Sequence, residues 1–106
     1  MNIINWSVAR EYLGEHLEDI IKQFLEELPE KQKLVEEAET KKQMAHALHK
    51  LNGTLNIIGV ERQYIDEFLL YEGYCLDDDE RCDVGNIKMF ATSFCRLLRE
   101  ELEYGI

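Results

Sequence analysis

The chemistry available to this sequence centres on His49. An imidazole gives up its proton close to neutral pH, so an exposed histidine offers a ring nitrogen that can act as a nucleophile or carry a transferred group. His46 lies three residues earlier, close enough on a helix to share a metal ion with His49, but no third ligand accompanies the pair. His16 reads as a surface residue near a helix start. Cys75, Cys82 and Cys95 are separated by gaps of seven and thirteen, which fit no paired zinc spacing. An odd number of cysteines without an export signal reads as free thiols. The run Asp77-Asp78-Asp79-Glu80 lacks the spaced ligands and the glycine of a calcium loop and reads as a solvated connection. No metal and no cofactor is expected.

Composition narrows the field further. The 106 residues have the size of one domain, spanning 1–106, with a single core. Twelve basic residues against twenty-two acidic ones give a net charge of -10, which argues against nucleic acid or an anionic membrane as partner. No apolar run approaches the roughly 18 residues of a membrane span, and Met1-Asn2-Ile3-Ile4-Asn5 lacks a basic-then-apolar signal. A cytoplasmic, monomeric protein is expected.

The elements that must position His49 read as helices. Trp6 to Leu13 forms a short one, with Asn5 or Ser7 as N-cap. From about Glu15 to Ala38, Leu17, Ile20, Ile21, Phe24, Leu25 and Leu28 form an apolar stripe, continued by Leu34, Val35 and Ala38 beyond Pro29. That proline is expected to kink or divide the helix. Thr40 and Gln43 match a capping box, and Met44, Leu48, Leu51, Leu55 and Ile58 then recur at helical spacing, with Gly59 as the stop. A third helix, Glu61 to Cys75, carries Tyr64, Ile65, Phe68 and Leu69, with Glu72 and Cys75 further along its length. A fourth, Val84 to Tyr104, carries Ile87, Phe90, Ala91, Phe94, Leu98 and Leu102. Short connections between such helices predict an all-α, antiparallel four-helix bundle with a short extra N-terminal helix.

His49 follows Leu48, about 100° around the helix from the apolar stripe. Lys42, Ala45, His46, Asn52, Gly53 and Asn56 share its face, a polar or small row that predicts exposure. Gly53 costs about 1 kcal/mol relative to alanine in a helix interior. Placed one turn after His49, it leaves a shallow space through which another protein's active site can reach the imidazole.

The stretch Ala47-Leu48-His49-Lys50-Leu51-Asn52-Gly53, with Gly59 ten residues after the histidine, resembles the signature helix of the histidine-phosphotransfer (HPt) family. Phe24-Leu25-Glu26-Glu27-Leu28-Pro29 is similar to that family's second helix, and the helix order agrees over almost the whole chain. The resemblance implies that His49 is the phosphoacceptor and that Lys50, Asn52, Gly53, Asn56, His46 and Tyr71 contact the phosphoryl group or the partner. Asn52 stands where the family usually has a lysine, and Tyr71 where many members place a glutamine on the following helix. The implied partners are response-regulator receiver domains and a hybrid sensor histidine kinase. Val8, Tyr12 and Ile21 are candidates for a docking patch. The receiver would supply the aspartate, the magnesium and a lysine, so the chain is expected to be a phosphocarrier and not an enzyme. The absence of a Gly-rich phosphate loop and the short length exclude a complete histidine kinase. A second expectation is an HPt-like binding module that is not phosphorylated and instead inhibits a kinase or regulator; the uncharged Asn52 favours it.

Overall fold

A computed structural model describes residues 2–105. The chain forms α1 (Trp6–Leu13), a single 3-10 turn (Gly14–His16), α2 (Leu17–Glu37), α3 (Lys41–Leu55), α4 (Arg62–Leu76) and α5 (Val84–Gly105). Among the described residues there is no strand, only an isolated antiparallel bridge between Ile4 and Val60. The four long helices pack into a body of 43 × 22 × 21 Å, about two helix diameters across in each short direction.

Local chemistry accounts for the helix starts. The Asn5 side chain accepts from the Val8 amide and caps α1. Thr40 and Gln43 form the full capping box of α3, with Thr40 Oγ1 accepting from Gln43 N and Gln43 Oε1 accepting from Thr40 N. Asp83 accepts from Asn86 N just ahead of α5. Pro29 neither divides nor ends α2, which runs unbroken through it. Residue 29 donates nothing to the carbonyl of Leu25, but burial of Ile21, Phe24, Leu28 and Val35 along one stripe supports the helix on both sides of the proline.

The core is the set of stripes expected from periodicity. Met44, Leu48, Leu51, Leu55 and Ile58 are fully buried, as are Phe68, Ala91, Leu98 and Leu102. Aromatic rings join α4 to α5: Phe68 meets Phe94 edge-on at 4.9 Å and Phe90 at 5.3 Å, and Tyr64 lies 5.4 Å from Phe94. The N-terminal segment is tied to α5 by Glu101, whose two carboxylate oxygens accept from Ile3 N at 2.8 Å and Ile4 N at 2.7 Å.

Three further expectations are corrected. α3 ends at Leu55, not Ile58, and Asn56–Gly59 is a turn. Ile58 stays in the core, but Gly59 adopts a positive φ of 81° so that its carbonyl can accept from Asn5 N at 2.9 Å, binding the segment before α1. Leu69, expected in the core, is about half exposed, because the buried line of α4 runs through Ile65, Phe68 and Cys75. Cys75 and Cys82 are not free thiols: they form a disulfide, with Cα atoms 5.3 Å apart, across the α4–α5 connection. Cys95 alone is free, and it is buried. A tally of cysteines could not foresee this pairing, because the turn that brings residues 75 and 82 together is a tertiary feature.

Candidate functional site

His49 lies in the second half of α3 with its side chain 77% exposed. Its position follows from the capping box at Thr40, which sets the helix start, and from the buried Leu48 and Leu51, which turn the intervening face outward. Gly53, one turn later, is exposed, and a Cβ built there would meet nothing within 4 Å. The approach to the imidazole from that side is open.

The other side of the ring faces α4. Nδ1 of His49 lies 3.4 Å from Oε2 of Glu72, whose side chain is only 14% exposed. The second carboxylate oxygen, Oε1, is buried with no hydrogen-bond partner in the protein. With a proton on Nδ1 donated to Glu72, Nε2 carries the free lone pair. In that tautomer the carboxylate is placed to orient the ring, the geometry by which the aspartate of a catalytic triad orients its histidine. Glu72 replaces Tyr71 as the residue beside His49. The Tyr71 hydroxyl instead donates to Glu67 at 2.9 Å, which raises its pKa, and its ring packs edge-on against Phe90 at 5.5 Å. The signal for Glu72 was present in the sequence: a carboxylate in phase with Ile65, Phe68 and Cys75, on the stripe of α4 that faces the core.

The remaining expected site residues divide. Lys42, His46, Lys50, Gly53 and Asn56 are exposed. Ala45 and Asn52, placed on the exposed row by helical phase, are buried, at 3% and 5% exposure. α4 packs against that edge of α3 and covers them. Asn52 Oδ1 has no hydrogen-bond partner, and its backbone carbonyl accepts from Asn56 Nδ2 at 3.3 Å. Asn52 is thus a constituent of the α3–α4 contact and not a group presented beside the imidazole. Of the docking candidates, Val8 and Tyr12 are exposed, but Ile21 is buried at 1% and drops out. Ile57, which helical periodicity gave no reason to single out, is 56% exposed and forms a junction between two shallow clefts, one shared with Val8 and Tyr12 and one with Ile20 and Phe24.

A cleft of about 440 Å³ between α2 and α3 is lined by Leu34, Ala38, Lys42 and His46 and does not include His49. Apart from Glu72 on α4, the His49 ring is open to solvent. No cluster of three or more possible metal ligands occurs among the described residues, nor is any helix there long and apolar enough to cross a membrane. In comparisons with known proteins, no family model, no curated protein and no solved structure matches this chain.

Proposed function

We propose that the chain is a histidine-phosphotransfer module, in which His49 takes a phosphoryl group from a receiver-domain aspartate and passes it to a second receiver. The observation that carries this reading is the setting of His49: exposed on the outward face of α3, open on the Gly53 side, and with Glu72 3.4 Å from Nδ1. In the transfer, Nε2 attacks phosphorus, the bond from phosphorus to the aspartyl oxygen breaks, and the carboxylate leaves with the electron pair. The ring becomes cationic as the N–P bond forms, and the Glu72 carboxylate offsets that charge. The chain needs only to present the histidine, because positioning and charge neutralisation dominate phosphoryl transfer and the receiver brings its own metal. No nucleotide site of its own is required.

The proposed architecture is the antiparallel four-helix bundle of that family. It is supported by Lys41, at the start of α3, bonding Asp78 just beyond the end of α4 at 2.9 Å, while His49 further along α3 meets Glu72 further back in α4. Val8, Tyr12 and Ile57 offer apolar surface for a docked receiver. The module acts as a monomer in the cytoplasm, with a hybrid kinase upstream.

A second reading, a binding module that inhibits a kinase or regulator without being phosphorylated, is favoured by one observation. The group brought to the imidazole carries no positive charge: Glu72 is a carboxylate, and Asn52 is neutral and buried away from the ring. Incubation with a radiolabelled phospho-receiver separates the two. Label on the protein that is acid-labile, alkali-stable and lost in His49→Gln is expected. A stable complex without label would sink the relay in favour of the inhibitor.

A further inference from the structure

We propose that Cys75 and Cys82 form a reversible dithiol–disulfide clasp that sets how firmly Glu72 holds the His49 imidazole. The chemistry at stake is that of the site proposed above, on which this inference rests.

Cys75 occupies the last turn of α4, three residues after Glu72, and Cys82 lies two residues before α5 begins. The bond between them closes the connection that contains Asp77, Asp78, Asp79 and Glu80. Apart from that bond, backbone hydrogen bonds and exposed charge pairs hold the connection. Asp77 N donates to Gly73 O, and Asp79 N to Tyr74 O. Arg81 pairs with Asp79 at 2.8 Å and lies over the Tyr74 ring at 4.3 Å, and Lys41 reaches Asp78 Oδ1 and the Asp79 carbonyl. The Lys41–Asp78 pair is open to solvent and stabilises little, whereas Arg81 grips Asp79 through two parallel hydrogen bonds. The disulfide is the one covalent tie between the final turn of α4 and the residues ahead of α5, and that turn follows directly on Glu72.

Opening the clasp transfers two electrons from a dithiol reductant: the S–S bond breaks, each sulfur gains a proton, and the reductant leaves as its own disulfide. Closing is the reverse, with a low-molecular-mass disulfide such as oxidised glutathione accepting the electrons and departing as two thiols. Both cysteines are nearly buried, so exchange proceeds through local fraying of the exposed connection. In a reducing compartment a disulfide of this kind is a sensing element more often than a structural one. With the clasp shut, Glu72 stays on Nδ1 and Nε2 is the nucleophile. With it open, the last turn of α4 frays, the carboxylate moves off the ring, and both tautomers are populated.

The test uses the intact protein in oxidised glutathione and in dithiothreitol. Intact mass should fall by two hydrogens in the first condition. Nitrogen-15 spectra should show His49 protonated at Nδ1 only in that condition. Amides 73–77 should exchange about ten-fold faster, or more, after reduction. A Cys75→Ser, Cys82→Ser variant should match the reduced form in either buffer. Failure of the mass to change with redox buffer, or an unchanged His49 spectrum when it does, overturns the clasp. Tautomer switching without any phosphoryl acceptance would uphold the clasp and remove the relay instead.

Discussion

Replacing Gly53 with alanine separates what this glycine does for stability from what it does for access. Gly53 is helical, its φ is not positive, and a Cβ there meets nothing within 4 Å. No steric cost offsets the helix preference of alanine, so stability should rise by about 0.5–1 kcal/mol, with the lower figure favoured so near the end of α3. With an unfolding entropy of about 2.1 cal/mol/K per residue, 106 residues give roughly 0.22 kcal/mol/K, and the gain becomes a rise in Tm of about 2–5 °C. Calorimetry or urea unfolding measures it. The same methyl stands one turn from His49 on the open side and should slow phosphoryl acceptance several-fold in a single-turnover assay with a phospho-receiver. Gly53→Gln, also a better helix former than glycine, should retain stability and slow transfer by about ten-fold or more. A fall in stability on Gly53→Ala would show that the open, helical setting is wrong. A stable Gly53→Gln variant with undiminished transfer would show that the glycine has no role in access.

Glu72→Gln should reduce phosphoryl acceptance by about ten-fold while leaving the fold intact, because the amide still occupies the space but no longer offsets the imidazolium charge; single-turnover kinetics and a circular-dichroism spectrum read the two effects separately. Burial pushes the Cys95 thiol up to about 12. The folded state therefore keeps a proton that the unfolded chain releases above about pH 9, and stability from this group is present below pH 9 and lost as pH rises toward 12. Urea titrations at pH 8 and pH 11 should show the decline, and Cys95→Ala should flatten it. Iodoacetamide at pH 8 should leave Cys95 unmodified until urea is added. Phe68→Ala, which removes a fully buried ring packed against Phe90 and Phe94, should cost about 3–5 kcal/mol in urea unfolding; a loss under 1 kcal/mol would show that the α4–α5 aromatic contact is not central to the core.

The amino-acid sequence by itself determined the helices, most of the residues each one buries, and the exposure of His49. These are local properties: periodicity fixes a face, and Thr40 with Gln43 fixes where α3 begins. The Leu48–Leu51 pair then dictates that residue 49 turns outward, whatever lies opposite. Which side of that outward face is covered depends on a neighbour that periodicity cannot see. α4 packs along one edge of α3, so it buries Asn52 and Ala45 while leaving Gly53 and Asn56 in solvent. It also brings Glu72, twenty-three residues away in the chain, to Nδ1 of His49 in place of Tyr71. One helical position is about 100° of rotation, enough to exchange the two residues. The same holds for Cys75 and Cys82, whose pairing depends on how tightly the α4–α5 connection turns. Sequence alone thus placed His49 on an outward face, whereas tertiary packing decided what flanks it, because side chains from separate helices meet only once the core has set the rotation of each helix about its axis.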